Sequence, residues 1–534
     1  MMQQQKNNDL SNPRGIILLL IAFLEGAAVM AAELLGAKMV APFFGTTIYS
    51  WAAVLAVTLF GLAAGYYTGG WLTTKHAPKR ILFVVLLLSG FFLLLMPFAS
   101  NVIMKALLDA SIITGLIISL LVFMFPPVFL FGMVSPAIIH ALVHDMDDTG
   151  KMAGRVYAIS TVGGVLNTLL LGFYIIPQYG IKATALVWGI IVLLMPLLII
   201  RGKRRGKMAL FILLFITVSV AAQWRSSEGA GQRMIIQYAS EGLLGQVKVV
   251  DIEGMLLNDK SVKPRGLLVN NTWQTIYNRN DGKSLLDYVY FITPLLKNAP
   301  ADNKDALLVG LGGGMLAREM LHAGYSLDVV EIDKRLEILA RRYFDMKPGA
   351  DIIIDDGRHY IEKIDKEYGV IVLDAFLGEN APWHLLTKEC FSTIKSKLSN
   401  NGMLIIEFFG FTDGVEGRAS RSIYKTLHKT GFEVTMIKTR KVPDGNENLI
   451  IVGTKSPFSL EGIHSDTLSY FKEAEVIHLS EYQYSFDDVS DAIILTDDLP
   501  ALEIMLAKPA INWRKNLNEV LRDHLIEEHY PIYY

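Results

Sequence analysis

Glycines and carboxylates end four consecutive apolar segments between residues 305 and 376. Alternating strands and helices bring the carboxyl ends of parallel strands to one edge of a sheet, where ligands bind. We therefore predict that the residues at these four ends line one ligand site. They are Gly310, Gly312, Gly313, Gly314, Glu331, Asp333, Asp355, Asp356, Gly357 and Asp374.

The first two segment ends are typical of a nucleoside site. Glycines between a strand and a helix let the backbone approach a ligand, and the helix N-terminus favours negative charge. Glu331 and Asp333 follow about twenty residues later, where a carboxylate accepts hydrogen bonds from ribose hydroxyls. This half of the pattern fits NAD as well as S-adenosylmethionine.

The third and fourth segment ends distinguish between those two ligands. Asp355 and Asp356 stand where a carboxylate can accept a hydrogen bond from an adenine amino group, and Asp374 stands where the reactive part of the ligand would lie. Each carboxylate alone could be a helix N-cap or a solvated loop end. Five carboxylates at three successive strand ends, after a glycine loop at the first, favour a nucleoside site of methyltransferase type over a nicotinamide site.

The soluble half of the sequence predicts a doubly wound α/β sheet with helices on both faces. The predicted strands are 306–311, 327–333, 351–355, 369–374, 402–409, 432–438 and 448–454. Before them, residues 234–285 alternate as strands do. That segment predicts a small β-hairpin subdomain, which leads into a helix.

The composition is distributed unevenly along the 534 residues. Hydrophobic residues make up 52% and charged residues 19%, and the apolar excess lies between residues 16 and 198. A net charge of −2 argues against nucleic-acid binding by bulk electrostatics. The single cysteine, Cys390, excludes an intrachain disulfide and a cysteine-rich metal site, and we predict no metal cofactor.

The N-terminal part of the chain predicts an integral membrane domain. A spanning helix needs about 20 apolar residues. The candidate spans are 15–41, 50–72, 80–99, 111–143, 156–177, 182–200 and 207–223. The fourth contains Pro126-Pro127 and could be one kinked helix or two short segments, so we expect seven or eight spans.

Two groups of membrane residues carry predictions of their own. Gly61, Gly65 and Gly69 form a ladder of small residues that predicts close helix packing. Glu25 and Glu33 lie on one predicted helix and face roughly the same way. A carboxylate at membrane depth suggests substrate or proton handling. The alternative is that Glu33 pairs with a nearby cation such as Lys38 or lies near the interface.

The predicted fold class is thus a multi-span α-helical membrane domain plus an α/β Rossmann-like domain with a small N-terminal β subdomain. We place the membrane domain at 1–223 and the β-hairpin subdomain with its linking helix at 234–300. The Rossmann-like nucleoside-binding domain follows at 301–456, and a C-terminal extension without a motif occupies 457–534.

The residues of the strand edge resemble the spermidine synthase (polyamine aminopropyltransferase) family, in its membrane-fused branch. The resemblance covers about residues 238–410 and includes GLLVNNTWQ, the glycine loop through Arg318-Glu319, VEID and DDG. It implies a Rossmann-like fold of the methyltransferase and spermidine synthase kind, with S-adenosylmethionine or its decarboxylated form bound as a substrate. By this resemblance Asp374 is the catalytic residue, and the nucleoside-binding residues are Gln274, Gly310, Gly312, Gly313, Glu331, Asp333, Asp355, Asp356, Gly357 and Pro382.

The polyamine side of the family's site is not preserved. Gly313 stands where the family carries an aspartate for the aminopropyl end, and Leu377 stands near the place of a second catalytic-loop aspartate. Leu286-Asp287 replaces a Tyr-His pair, and KVPDGNENLIIVG replaces a Tyr-Pro-Gly-Gly segment. Because these changes take charge partners away from a cationic amine, the resemblance supports the nucleoside ligand more than a diamine acceptor.

The predicted function is that of an integral-membrane enzyme that releases methylthioadenosine. The acceptor would be an amine, as in aminopropyl transfer, or the ligand's own carboxylate or amine, as in a lyase or cyclase. Two other classes stay open. One is methyl transfer to a membrane-associated substrate, and the other is a transporter whose soluble domain senses a nucleoside or a polyamine.

We expect the protein in the inner cell membrane, with its soluble domain in the cytoplasm, where the nucleoside is made. If 111–143 crosses the membrane once, the basic clusters at 6–14, 75–80 and 201–207 lie on one side, which should be the cytoplasmic side. A further span at 207–223 would then place the soluble domain outside. The expected partners are a small-molecule substrate and the lipid bilayer. No nucleic acid is expected, and a homodimer is left open.

Overall fold

The computed structural model divides into two compact units. Residues 1–232, 240–246 and 518–534 form the first unit, and residues 233–239 and 247–517 form the second. The structure describes residues 13–143, 148–199, 206, 209, 233–257, 260–375, 381–440, 447–465, 476–499, 501–526 and 533.

The first unit is built from apolar helices. They are α1 (Pro13–Phe44), α2 (Ile48–Thr73), α3 (Pro78–Ala106), α4 (Ile112–Phe123), α5 (Phe125–Gly132), α6 (Val134–Leu142), α7 (Thr149–Leu170), α8 (Ile176–Leu194) and α9 (Pro196–Ile199), with a π-helical turn at Leu171–Ile175. Within the described ranges, five segments are long and apolar enough to cross a membrane. They are Pro13–Phe44, Ile48–Thr73, Pro78–Ala106, Phe125–Leu142 and Thr149–Ile199.

The predicted spans appear with different boundaries. Segment 111–143 forms three helices, because α4 ends just before Pro126-Pro127 and a further break follows α5 at Met133. The long segment Thr149–Ile199 contains two predicted spans, and Gly180, with φ 75°, interrupts its helical backbone between them. The predicted span at 207–223 lies outside the described residues, apart from residue 209.

Small residues bring the helices of this unit close together. A Cβ atom added at Gly65 would lie 2.2 Å from the Phe129 carbonyl oxygen on α5. One added at Gly163 on α7 would lie 2.1 Å from the Phe23 carbonyl oxygen on α1. Gly61 and Gly69 are also buried against the α5–α6 segment, so the predicted packing role of the ladder is confirmed.

Polar side chains also connect these helices. Glu25 is 2% exposed and accepts a hydrogen bond from Ser160 Oγ at 2.9 Å. Asn167 Nδ2 donates to the Ala27 carbonyl oxygen at 2.7 Å. Lys38 Nζ donates to the Gly242 carbonyl oxygen at 2.7 Å. A buried polar group in hydrocarbon needs such a partner, so these contacts tie α1 to α7 and to the segment 240–246.

The second unit begins with a small antiparallel sheet in the order β1-β2-β5-β6. Its strands are β1 (Met234–Ser240), β2 (Val247–Ile252), β5 (Pro264–Val269) and β6 (Thr272–Asn278), and a separate hairpin joins β3 (Met255–Leu257) to β4 (Lys260–Val262). The turn between β5 and β6 has positive φ at both Asn270 and Asn271, as a two-residue hairpin requires. Helix α10 (Tyr288–Lys297) follows.

The main sheet has eight strands in the order β16-β12-β13-β11-β10-β7-β8-β9. These strands are β7 (Asp305–Val309), β8 (Ser326–Glu331), β9 (Ala350–Ile354), β10 (Tyr368–Leu373), β11 (Leu398–Gly410), β12 (Glu433–Lys438), β13 (Glu447–Thr454) and β16 (Gln483–Tyr484). The intervening helices are α11 (Met315–His322), α12 (Lys334–Tyr343), α13 (Gly357–Lys363), α14 (Lys388–Lys397) and α15 (Arg418–Lys429). A two-stranded pair, β14 (His464–Ser465) and β15 (Ile477–His478), and the helix α16 (Ala501–Ile526) complete the described elements.

Strand β10 lies at the centre of this sheet and is buried along its whole length. It pairs in parallel with β7 on one side and with β11 on the other. Val370 and Val372 face a core that includes residues of α10, α11 and α12. Ile371 and Leu373 face a second core, which includes residues of α13, α14 and α15. Two cores on opposite faces confirm the predicted doubly wound sheet.

The C-terminal part of the sheet is antiparallel. β13 is inserted between β11 and β12 and runs antiparallel to both. All seven predicted strands are present, but local patterning does not reveal this insertion. Its consequence is that the start of β13, at Glu447 and Asn448, lies beside the end of β11 at Phe409 and Gly410.

The close helix approach in the first unit yields a test. Gly65→Ala places a methyl group against the Phe129 backbone and is expected to cost about 1–3 kcal/mol by overpacking. Gly70→Ala is the matched control, because a Cβ atom there meets nothing within 4 Å. Thermal unfolding of the detergent-solubilised chain should show a lower midpoint for Gly65→Ala alone. Equal midpoints for the two variants would contradict the packing described.

Candidate active site

The ends of strands β7 to β10 form one edge of the sheet. The register pairs Val309 with Val330 and with Leu373, and Glu331 with Ile354. Backbone hydrogen bonds extend this register past the strands, since Asp374 N–H donates to Val309 and Asp355 N–H donates to Glu331. The structure therefore brings the four predicted segment ends to one edge.

The glycine loop fits tightly between its neighbours. Gly310 has φ 96°, and a Cβ atom there would lie 2.0 Å from the Asp374 carbonyl oxygen. Gly312 and Gly314 also have positive φ, which side chains rarely adopt. The loop therefore needs glycine both for its conformation and for its close approach to the end of β10.

Gly313 has a different reason to be glycine. Its N–H donates to Thr275 Oγ1 at 2.8 Å, and a Cβ atom there would lie 2.7 Å from Thr275 Cγ2 and 3.1 Å from the Phe344 ring. The space beside Gly313 is thus filled by Thr275 of β6 and by Phe344, which directly follows α12. An aspartate at this position would not fit without movement of those residues.

The two carboxylates after β8 make different contacts. Glu331 is 5% exposed, and its carboxylate accepts from Leu311 N–H at 2.9 Å and from Asp333 N–H at 2.8 Å. Burial raises the pKa of Glu331, against the effect of these backbone hydrogen bonds. Asp333 caps α12 and forms an ion pair with Arg335 at 2.6 Å. Glu331 therefore holds the glycine loop, while Asp333 holds the start of the next helix.

The carboxylates after β9 are also engaged locally. Asp355 Oδ2 lies 2.8 Å from His359 Nδ1, and this contact is the main reason that the pKa of Asp355 is lowered. Asp356 caps α13 by accepting from His359 N–H and lies 3.2 Å from His384 Nε2. Asp333 and Asp356 are therefore helix N-caps, as the alternative interpretation held. The residue after Asp356 must be glycine, because a Cβ atom at Gly357 would lie 2.4 Å from Val309 Cγ1.

Apolar side chains lie exposed beside these carboxylates. Ile332, which follows the buried strand β8, is 50% exposed, and Ile354, which ends the outermost strand β9, is 45% exposed. Isolated exposed isoleucines are ordinary on a protein surface. At the end of two adjacent strands, next to Glu331 and Asp355, they provide apolar surface on which a flat ring can pack.

Asp374 is the most unusual carboxylate at this edge. Tyr288 Oη, at the start of α10, donates to its Oδ2 at 3.3 Å. Burial raises the pKa of Asp374 to about 7, while the Tyr288 hydrogen bond opposes the shift and the charge of Glu331 adds to it. Burial and the Asp374 charge also raise the pKa of Tyr288, which therefore remains a hydrogen-bond donor. Asp374 is thus poised to exchange a proton near neutral pH.

Glu407 lies on the neighbouring strand β11. The register that pairs Leu373 with Ile406 makes Asp374 and Glu407 the next neighbours along the two strands. Glu407 is 6% exposed, and burial, followed by the charges of Asp374 and Asp287, raises its pKa well above the usual range. Two neighbouring carboxylates, one half-buried and one buried, disfavour ionisation of both at once.

A polar group of side chains lies next to this pair. Asp287 lies 3.2 Å from Asn448 Nδ2 and 3.4 Å from Arg440 Nε. Glu447 Oε1 forms an ion pair with Lys438 Nζ at 3.1 Å. Asp287, which precedes α10, is therefore bound to residues of the β12–β13 hairpin.

The other predicted residues lie on β6 and around the loop that follows β10. Gln274 lies on β6 and is partly buried, with a long contact of 3.5 Å to the Trp273 carbonyl oxygen. Pro382 precedes the 3₁₀ turn Trp383–Leu385. Leu377 lies outside the described residues. In the described part of the chain, His, Cys, Asp and Glu side chains form no group of three that could hold a metal ion.

Sequence reasoning missed three residues of this region. Glu407 is a single acid inside an apolar strand, and that pattern could have identified it. Tyr288 has no local pattern that sets it apart. Asp497, in the C-terminal extension, accepts from Thr387 Oγ1 at 2.6 Å and from Arg358 Nη2 at 2.9 Å. It thereby fixes the segment that contains Pro382, a long-range contact that the sequence alone does not indicate.

Comparison with known proteins identifies part of the chain. Residues 288–458 match the model of the spermine/spermidine synthase domain family. A probable polyamine aminopropyl transferase of Bifidobacterium longum is 27% identical over 177 residues, which are 32% of this chain and 39% of that protein. A polyamine aminopropyltransferase of Vibrio vulnificus is 36% identical over 110 residues, which are 19% of this chain and 37% of that protein.

Two further similarities concern a methyltransferase and a solved structure. An N-terminal histidine N-methyltransferase of Emericella nidulans is 30% identical over 131 residues, which are 23% of this chain and 24% of that protein. A crystal structure of a probable spermidine synthase from Corynebacterium glutamicum is 18% identical, with a TM-score of 0.39, and the match covers 51% of this chain and 98% of that chain. The chain spans less than two-fifths of the length of each of these three curated relatives. Residues 288–458 therefore form a spermine/spermidine synthase domain, homologous to polyamine aminopropyltransferases, in a chain whose described residues also include five long apolar helical segments.

Proposed function

We propose that this chain is an integral-membrane enzyme of the spermidine synthase type that acts on S-adenosylmethionine or its decarboxylated form and releases methylthioadenosine. The observation that carries the proposal is the half-buried Asp374, which is hydrogen-bonded to Tyr288 at the strand edge of a spermine/spermidine synthase domain. Its raised pKa suits a group that takes a proton near pH 7. The nucleoside substrate is made in the cytosol, so we place the catalytic domain there.

The nucleoside would lie along the strand edge. In this proposal the glycine loop and the start of α11 offer backbone N–H groups, and Glu331 and Asp333 would accept hydrogen bonds from the ribose hydroxyls. Ile332 and Ile354 offer apolar surface for the adenine ring, and Asp355 or Asp356 would accept from its amino group. Gln274 and Pro382 complete this half of the proposed site.

The chemistry is a displacement at the carbon next to the sulfonium. The carbon–sulfur bond breaks, its electron pair stays on sulfur, and the leaving group is neutral methylthioadenosine. The attacking group must be deprotonated, so a carboxylate that accepts its proton and orients it lowers the barrier. Asp374 is proposed for that role, with Tyr288 fixing its orientation.

The acceptor side of the site argues against a standard diamine. Thr275 and Phe344 fill the space at Gly313, where the family carries an aspartate, and Asp287 is bound to Arg440 and Asn448. Asp374 and Glu407 together favour a single negative charge, because burial opposes ionisation of both. One charge can balance one ammonium group but not two. We therefore favour a monoamine acceptor or an intramolecular reaction. In the latter, the substrate either loses a proton in an elimination, or its own carboxylate or amine attacks the carbon next to the sulfonium.

Methyl transfer is the second candidate function. It is favoured by the 30% identity over 131 residues to an N-terminal histidine N-methyltransferase. The same nucleoside half would serve either reaction, because both begin from a sulfonium. The two differ in product, since methyl transfer releases S-adenosylhomocysteine instead of methylthioadenosine.

The product therefore tests the proposal. The purified full chain is incubated with S-adenosylmethionine or with its decarboxylated form, each without and with amines, and the products are identified by mass spectrometry. We expect methylthioadenosine from at least one substrate. Its formation without an amine would identify the intramolecular route. S-Adenosylhomocysteine would establish methyl transfer instead, and no product from either substrate would refute an enzymatic function of this kind.

The state of Asp374 gives a second test. If Asp374 must be ionised to act, kcat/KM rises as the pH passes through about 7. Asp374→Asn should lower kcat by about 10²–10⁴-fold. Tyr288→Phe removes a hydrogen bond that lowers the pKa of Asp374, so the midpoint of the pH profile should move to higher pH.

Asp365→Asn is the control for these variants, because Asp365 is fully exposed and lies outside the proposed site. It should keep both the rate and the midpoint of the parent protein. An Asp374→Asn variant with full activity, or a Tyr288→Phe midpoint that moves to lower pH, would contradict the role given to Asp374.

A further inference from the structure

A segment beyond the family-matched domain folds back onto helices α14 and α15. We call residues 488–499 the C-terminal strap, and they follow residue 458, where the match to the spermine/spermidine synthase domain ends. Leu495 of the strap is buried in the core that includes residues of α13, α14 and α15. Its carbonyl oxygen accepts from Lys388 N–H at 2.8 Å, and its N–H donates to Thr426 Oγ1 at 3.0 Å. Backbone contacts and a buried leucine therefore dock the strap even where one of its charged side chains is replaced.

The strap residue Asp497 places its carboxylate between two segments of the strand edge. Its Oδ2 accepts from Arg358 Nη2 of α13 at 2.9 Å, and its Oδ1 accepts from Thr387 Oγ1, at the start of α14, at 2.6 Å. The same guanidinium donates from Nη1 to the His384 carbonyl oxygen at 3.0 Å and to Thr387 Oγ1 at 3.1 Å. One carboxylate and one guanidinium thus tie the first turn of α13 to the segment from His384 to Thr387.

The two tied segments also meet at Asp356. This residue lies two positions before Arg358, and its Oδ1 caps α13 by accepting from His359 N–H at 3.0 Å. Its Oδ2 lies 3.2 Å from His384 Nε2, and the imidazole donates in this contact because an ionised carboxylate has no proton to give. The Asp356 side chain is still 38% exposed. Since a carboxylate has about four acceptor positions, lone pairs remain for a ligand.

The neighbouring carboxylate, Asp355, is held in a different way. His359 Nδ1 lies 2.9 Å from its Oδ1 and 2.8 Å from its Oδ2, and Asp356 N–H donates to Oδ1 at 2.8 Å. Both oxygens of Asp355 are thus engaged by the first residues of its own helix segment, and its side chain is 27% exposed. Of the two carboxylates after β9, Asp356 is therefore the more exposed one and the one that the contacts of the strap hold in place.

We propose that the C-terminal strap sets the base selectivity of the nucleoside site, with Asp497 as a positioning residue that holds Asp356 through Arg358 and His384. This inference rests on the proposed nucleoside substrate. The amino group of adenine donates a hydrogen bond, so a carboxylate fixed at the edge of the ring accepts from it. Hypoxanthine presents a carbonyl oxygen at the same place, and a carboxylate that faces this oxygen is left without a donor. A well-held Asp356 would thus make the site prefer an adenine nucleoside over its deaminated form.

Asp491 offers a matched control within the same strap. Its carboxylate accepts from Arg421 Nε at 2.8 Å and from Arg421 Nη2 at 2.6 Å. The side chain of Asp491 is 45% exposed and that of Asp497 is 44% exposed. The two acids thus form similar ion pairs, but Asp491 binds α15, to which no nucleoside-binding role is assigned. Replacement of either acid by asparagine keeps the shape of a half-exposed side chain, so neither change should disturb folding.

The test measures base selectivity by binding and needs no reaction. The purified full chain and its variants Asp497→Asn, Asp491→Asn and Asp356→Asn are titrated calorimetrically with methylthioadenosine and, separately, with methylthioinosine. We expect the parent chain to prefer methylthioadenosine by about tenfold or more, because the analogue leaves a carboxylate unpaired. Asp497→Asn should reduce this preference about fivefold, the scale of one hydrogen bond. Asp356→Asn should reduce it at least as much, and Asp491→Asn should keep the parent value.

The outcomes separate the strap from the nucleoside site itself. A preference that is unchanged in Asp497→Asn, or that falls equally in Asp491→Asn, would overturn the proposal, because the strap would then only support the fold. Methylthioadenosine bound by the parent chain without any preference over methylthioinosine would refute the role of Asp356, and with it the proposal, while the nucleoside site would stand. Binding of neither nucleoside by the parent chain would refute the proposed substrate, and the inference about the strap together with it.

Discussion

The site depends on two carboxylates that lie side by side, Asp374 directly after β10 and Glu407 within β11. The register of β10 and β11 pairs Leu373 with Ile406, so that the residues that follow them, Asp374 and Glu407, become neighbours. Desolvation disfavours the charged form of each, and together they favour one charge between them. Tyr288 supplies the hydrogen bond that stabilises this charge on Asp374. The first turn of α10 is therefore part of the site and not only a link between subdomains.

The proposed nucleoside and acceptor sides of the site are built in different ways. The nucleoside side is built mainly from backbone geometry, with glycines whose replacement would clash with Asp374, Val309 or Thr275. Such a loop keeps its shape only if these glycines stay. The acceptor side is built from charged side chains, and here Asp287 is paired with Arg440 and Asn448. The part of such a site that binds the nucleoside can therefore be retained while the charged side chains that select an acceptor change.

Much of the fold could be predicted from the sequence because its information is local. Apolar segments locate all seven predicted strands, and the four segment ends that carry glycines or carboxylates meet at one edge as expected. The antiparallel insertion of β13 could not be predicted, because strand order depends on contacts between distant segments. The contact of Asp497 with Thr387 and Arg358 was missed for the same reason. The packing of Thr275 and Phe344 beside Gly313 could not be predicted either, because these residues are distant from Gly313 in the sequence.

The central claim is that the nucleoside half of a spermidine synthase site is kept while its diamine half is not. Direct binding tests it without assuming a reaction. The purified full chain is titrated calorimetrically with methylthioadenosine and, separately, with putrescine. We predict saturable binding of one methylthioadenosine per chain and no saturable binding of putrescine, either alone or after methylthioadenosine. Saturable putrescine binding, or no binding of methylthioadenosine, would contradict the claim.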